Sequence, residues 1–167
     1  MVREAYAGCE GQTGAWTIRS VLAEDGVYLG TAMGTSMLPL IREGTDVIQV
    51  AACDASQLRP MDVVLFEMPG GAGGTCVLHR VVRVGGNAIV TLGDNCVSTE
   101  TVQPEWVLGT LVGLYRDGGD ANSLQARAYR AYVGLRCRPW RVRILLVGGY
   151  RRMRRWVGAL LRRLGLR

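Results

Sequence analysis

The 167-residue chain contains no lysine, so all twenty of its basic residues are arginine. It has one histidine, His79, and one phenylalanine, Phe66. It also lacks any apolar run near the ~20 residues that a membrane-spanning helix needs. The longest such run towards the C-terminus, Ile144 to Gly149, is bracketed by arginines. The N-terminus carries Glu4 and Glu10 and has no apolar core, unlike a secretion signal. Five cysteines, Cys9, Cys53, Cys76, Cys96 and Cys137, are an odd number without C-x-x-C spacing. They spell neither a zinc site nor a disulfide framework, and reduced thiols in a cytosolic protein are the expectation.

What is present is a chain of one-domain length with nearly half its residues apolar and 23 glycines, a composition that suggests many turns and a β-rich fold. Charge is segregated. Residues 1–120 hold all fourteen acids and seven arginines, whereas residues 121–167 hold thirteen arginines and no acid. A basic tail on an acidic body implies an anionic partner for the tail, or docking of the tail on the body.

Residues 1–14 are small and polar and read as a loose end. Ala15 to Glu24 has helical spacing, and Gly26 ends it. Strands are expected over Val27–Met33, Asp46–Val50, Val63–Met68, Cys76–Val84, Ala88–Leu92 and Trp106–Tyr115. The stretch "GDNCVSTE" reads as a loop. After Gly118-Gly119 the character changes. Residues 125–136 predict a helix with Tyr129, Tyr132 and Val133 along one side, and Pro139 breaks it. Residues 141–166 read as a basic amphipathic helix, with Met153, Trp156, Val157, Leu160, Leu161 and Leu164 on one face.

The sequence "GTSMLP", Gly34 to Pro39, places a serine at a strand end. A serine hydroxyl is a weak nucleophile and needs a base beside it. Without lysine, a Ser–Lys dyad is excluded. If Ser36 is a nucleophile, His79 must be its base, and a carboxylate must orient the imidazole. His79 lies mid-strand and shares a face with Val77 and Val81, opposite Leu78 and Arg80. Asp94 follows the hairpin that begins with His79, so its contact with the imidazole depends on the hairpin register. Gly34 removes a side chain where a substrate carbonyl must approach, and the Ser36 N–H is a candidate oxyanion donor. Taken singly, each residue has a plainer reading: a serine or aspartate in a turn, a half-buried histidine in a strand.

Their joint order changes the reading. "GTSMLP", then "DVVLF", "VLHRVV", "GDN" and "VLGTLVGLY" resemble the signal peptidase I family of serine endopeptidases, over roughly Val27 to Tyr115. The resemblance is to the archaeal and endoplasmic-reticulum type, in which histidine replaces the lysine of the bacterial type. It implies Ser36 as nucleophile, His79 as general base and Asp94 as acidic partner. It places Gly34, Thr35 and Met37 at the oxyanion and substrate-binding wall. The family's second aspartate position is Glu100 here, a possible second acidic residue. Met61 stands where the family has glycine before Asp62, and Arg80 is read as a structural ion-pair partner. The implied fold is an α+β domain of coiled antiparallel sheets, shared with self-cleaving repressor proteases, with no cofactor or metal.

The divisions expected are a loose 1–14, a catalytic domain over 15–118 and a helical tail over 119–167. The region Trp16 to Gly26 is too short and polar for the family's usual membrane anchor. The expectation is therefore a cytoplasmic peptidase, peripheral at the inner membrane face or free of it, that trims a leader or signal-like peptide from a precursor. The alternative is an inactive peptide-binding or membrane-associated adaptor. For the arginine-rich tail over 141–167, four roles stand open: packing on the body, an anionic membrane surface, an acidic partner or leader peptide, and nucleic acid. The last is disfavoured by the shortage of aromatics for a stacking platform.

Overall fold

The computed structural model describes residues 17–70, 74–117, 124 and 126–163. The expected loose end over 1–14 lies outside them, as do the Gly118-Gly119 boundary and Leu164. Helix α1 (Ile18–Asp25) is followed by strands β1 (Val27–Thr31), β2 (Val47–Ala52), β3 (Val63–Met68), β4 (Thr75–Gly85), β5 (Ala88–Leu92), β6 (Glu100–Val102) and β7 (Val107–Tyr115). The tail forms α2 (Arg127–Tyr132), a π-helical stretch over Val133–Cys137, and α3 (Trp140–Arg163). The expected α+β, β-rich class is observed: the seven strands form one curled antiparallel sheet, a half-barrel, in the order β1-β2-β7-β3-β4-β5-β6.

Local chemistry sets the ends of α1. The Thr17 hydroxyl accepts from the Ser20 N–H at 3.1 Å and Ser20 returns the bond, a reciprocal cap. The helix closes at Gly26, whose N–H reaches the Leu22 carbonyl.

Strand β3 explains the continuous apolar run "VVLF". Val63 and Leu65 join one core with Ile18, Met37 and Ile41, whereas Val64 and Phe66 join a second with Val81, Ile89 and Val102. A strand covered on both faces cannot show apolar–polar alternation. Strand β6 was not expected; its first residue, Glu100, closes the stretch read as a loop. It is three residues long, and its pairing with β5 supplies the order that composition does not announce.

Behind the serine segment, the turns from Met37 to Asp46 are fastened by a buried carboxylate. Asp46 accepts from the Arg42 backbone N–H at 2.8 Å, from the Arg42 guanidinium, and from Arg116 Nη2 at 2.6 Å. Arg116 also donates to the Leu40 carbonyl at 2.9 Å. Burial alone would raise the Asp46 pKa, but the bonds from Arg116 and Arg42 outweigh it and hold the group down at about 2. An unfolded aspartate titrates near ~3.9. The native state therefore binds fewer protons than the unfolded state in that window, and stability falls as pH drops through it. Thermal melts from about pH 5 to pH 2 should show this loss. Asp46→Asn should flatten the acid slope and cost about 2 kcal/mol at neutral pH, because Arg116 loses its carboxylate while Arg42 keeps only Asp117.

Candidate active site

The alternation of β4 decides which carboxylate meets the histidine. Strand register places Val81 opposite Thr91 and Thr91 opposite Glu100, so these side chains share one face. His79 is two residues before Val81 and points to that face. Arg80 pairs with Leu92, and Asp94, two residues further on, falls on the other face.

The contacts follow that geometry. His79 Nδ1 lies 2.8 Å from Glu100 Oε2. His79 is buried, with its ring edge-on to Phe66 at 6.3 Å between centroids. Asp94, expected as the acidic partner of His79, is instead claimed by Arg80. Arg80 Nε and Nη2 donate to its two oxygens at 2.8 and 2.7 Å. Both side chains are almost wholly buried, at 1% and 3% exposure. Tyr132 Oη donates to Asp94 Oδ2 at 2.8 Å, and Arg80 Nη1 reaches the Met61 carbonyl and Tyr129 Oη. Burial works against the Arg80 charge, but Asp94 outweighs it and raises the guanidinium pKa further. Burial, reinforced by the Asp94 charge, likewise pushes the Tyr132 phenol up, so it stays a donor. The expectation that Arg80 is an ion-pair partner thus finds its carboxylate in Asp94.

Ser36 and His79 meet at Gly93. A Cβ added to Gly93 would lie 2.8 Å from the Ser36 carbonyl oxygen and 3.0 Å from His79 Nε2. It would also lie 2.7 Å from Cys96 Sγ. The two expected catalytic residues therefore flank one point, and only glycine leaves them room. Asn95 completes the seam. Its backbone N–H donates to the Ser36 carbonyl at 2.8 Å, and its side-chain amide donates to the Thr35 carbonyl at 3.2 Å.

Ser36, His79 and Glu100 line a single cleft of about 310 Å³. Ala32, Met33 and Gly34 form one wall, and Thr75 to Leu78 form the other. On that second wall β4 is paired with β3, but pairing with β5 begins only at Arg80. Among the described residues the backbone of 75–79 thus has no strand partner on the side away from β3, beside the cleft. A second cleft of about 330 Å³ adjoins the first, shares Met33, Thr75 and Cys76, and extends to Tyr28 and Ile48.

The wall residues differ in part from expectation. The Gly34 N–H donates to Glu43 Oε1 at 2.9 Å, so it is not an open oxyanion donor. A Cβ there would meet nothing within 4 Å; glycine is required instead by the backbone, at φ +88°. Met37 is buried in the core beneath the serine and also lines the cleft. Thr35 is exposed. The cysteines are not uniformly reduced thiols: Cys76, on the cleft wall, is disulfide-bonded, whereas Cys53 and Cys137 are free thiols. Among the described residues no group of three or more His, Cys, Asp or Glu side chains is placed to hold a metal ion.

Sequence reasoning missed the tail's part in this site. Arg143, on α3, donates to the Asp94 carbonyl through Nη1 and to the Gly93 carbonyl through Nη2. Cys137 and Tyr132 close over the Asp94 side chain. The helices after residue 126 therefore clamp the segment that holds the Ser36 loop. The one available signal was the pair Tyr129/Tyr132 on one side of a predicted helix.

The two carboxylates should separate by experiment. Asp94→Asn leaves a buried guanidinium without its counter-charge and should cost about 3–5 kcal/mol in denaturant unfolding. Glu100→Gln, at a partly exposed residue, should change stability by less than about 1 kcal/mol in the same assay. Gly93→Ala should push the Ser36 carbonyl and the imidazole apart, lowering the melting temperature measured by circular dichroism. Compared with known proteins, no family model matches the chain and no curated protein matches it in sequence, so its function is argued from this geometry and from the motifs.

Proposed function

We propose that the chain is a serine endopeptidase of the signal peptidase type that removes a leader or signal-like peptide from a precursor. The observation that carries this reading is the His79–Glu100 pair opening on the cleft that Ser36 also lines. The chain has no lysine, and His79 is the imidazole that lines the cleft with Ser36, which makes it the base this reading assigns.

Each residue then has a defined task. Glu100 accepts from the Nδ1–H of His79, which fixes the tautomer with Nε2 free of its proton and offsets the positive charge formed later. Nε2 takes the Ser36 hydroxyl proton as Oγ attacks the scissile carbonyl, giving a tetrahedral intermediate. The same nitrogen returns the proton to the departing amine, leaving an acyl-enzyme. Water, deprotonated by His79, then releases the acyl group and restores the serine. With Gly34 engaged by Glu43, the Ser36 N–H remains the oxyanion donor this reading assigns. The strand edge at residues 75–79 is the surface on which an extended substrate adds as a further strand.

Among the described residues no helix is long and apolar enough to cross a membrane. A cytoplasmic location was the expectation from the sequence, whereas a disulfide on Cys76 favours an oxidising compartment.

Incubation of the full chain with candidate precursor peptides, read by mass spectrometry, tests the activity. Ser36→Ala and His79→Ala should each lower cleavage by about 10³-fold or more while circular dichroism stays unchanged. Full activity in His79→Ala would refute the mechanism.

A further inference from the structure

Helix α3 turns its apolar side away from the protein. Leu145, Leu146, Tyr150, Met153, Trp156 and Val157 recur at spacings of one, three and four residues, and all are exposed. Trp156 is 76% exposed and Leu145 73%. With Val142, also exposed, they cover an arc of roughly 140° on the helix surface. The opposite side carries Arg143 towards the Gly93 and Asp94 carbonyls, with Ile144 and Val147 half-buried beside it. Of the roles left open for the tail, packing of the apolar face on the body is not what these described residues show. The helix docks through its polar side because Arg143 finds backbone carbonyls there, and the stripe is left outward.

A run of large apolar side chains this exposed is unusual on a soluble surface and marks a contact site. Charge identifies the partner. The helix sequence holds eight arginines and no acid. Exposed Arg152 and Arg154 border the stripe, and Arg155 lies on the opposite side. A second copy of the chain would set two all-arginine helices side by side with nothing to neutralise them. A nucleic acid would use the arginines but leave the tryptophan and leucines in water. A lipid surface satisfies both sides at once: leucine and tryptophan enter below the headgroups, and the arginine stems reach back to the phosphates.

We propose that α3 lies in the plane of an anionic lipid surface, with the stripe from Val142 to Val157 inserted at the headgroup boundary. The helix then attaches the protein without spanning the bilayer. This attachment does not depend on peptidase activity, and its test reads binding alone.

The test is flotation of the full chain with vesicles of phosphatidylcholine mixed with phosphatidylglycerol, against vesicles of phosphatidylcholine alone. The protein should float with the anionic vesicles and remain in the dense fraction with the neutral ones. Leu145→Glu and Trp156→Glu, both exposed and outside the catalytic cleft, should each weaken anionic-vesicle binding about tenfold or more. Arg152→Gln with Arg154→Gln should weaken it as well and make the remainder less sensitive to salt. Circular dichroism on each variant confirms that the helix is intact. The proposal is overturned if the full chain ignores anionic vesicles. It is also overturned if Leu145→Glu and Trp156→Glu bind them as the parent does, which would leave charge as the only attraction. Tighter binding to a DNA duplex or a poly-glutamate peptide than to the vesicles would assign the helix to those partners. Sedimentation showing a dimer that Leu145→Glu dissolves would assign the stripe to a second copy.

Discussion

Two consecutive residues of one strand must point to opposite faces of a sheet, and this constraint organises the whole candidate site. His79 and Arg80 are neighbours in β4. One faces the cleft and takes Glu100; the other faces the tail and takes Asp94. Each positive or potentially positive group therefore has its own carboxylate. The buried Arg80–Asp94 pair is fully hydrogen-bonded, with Tyr132 sharing the carboxylate and Met61 and Tyr129 sharing the guanidinium. That completeness allows two charges to sit in the interior, where a lone charge would cost several kcal/mol, on the order of a large part of a domain's stability.

The structural pair and the cleft pair are joined by a few residues. Gly93 lies beside the Ser36 carbonyl and the His79 ring, the next residue, Asp94, accepts from Arg80, and Asn95 donates to the carbonyls of Thr35 and Ser36. On the far side Arg143 fastens the carbonyls of Gly93 and Asp94 to α3. Asp46 fixes the turns that leave the serine loop. The serine is thus held from three directions, which suits a nucleophile whose rate depends on placement within a fraction of an ångström. The tail follows as part of the machinery: its inner side holds the site while its outer side is left for another surface.

Much of the sheet was legible from residue pattern. Val63–Met68 and Ala88–Leu92 have the bounds expected, because β-branched runs there end at glycine, proline or polar turns. Strand β6 was not, since three residues of "ETV" carry no period. The assignment of Asp94 failed for a related reason. "GDN" lies near His79 in the chain, but the partner of a side chain in a sheet is set by register, and register is fixed by pairing that a single sequence does not display. Glu100 was named from the motif as a possible second acid, and the pairing of β6 with β5 is what brings it to His79. The glycine at 34 was singled out for the room it leaves a substrate carbonyl; the structure adds a backbone reason, its positive φ, and leaves open space where a side chain would be. The outward stripe of α3 was read as apolar from its spacing, but which side it turns to the body depended on Arg143 meeting two carbonyls.

The account rests on Ser36 being made nucleophilic by His79. The most direct measurement is labelling of the full chain with a fluorophosphonate, a reagent that reacts with activated serines, followed by peptide mapping. The predicted result is one adduct, on Ser36, whose formation is lost in His79→Ala. An adduct on another serine, or labelling of Ser36 at the parent rate in His79→Ala, would contradict it.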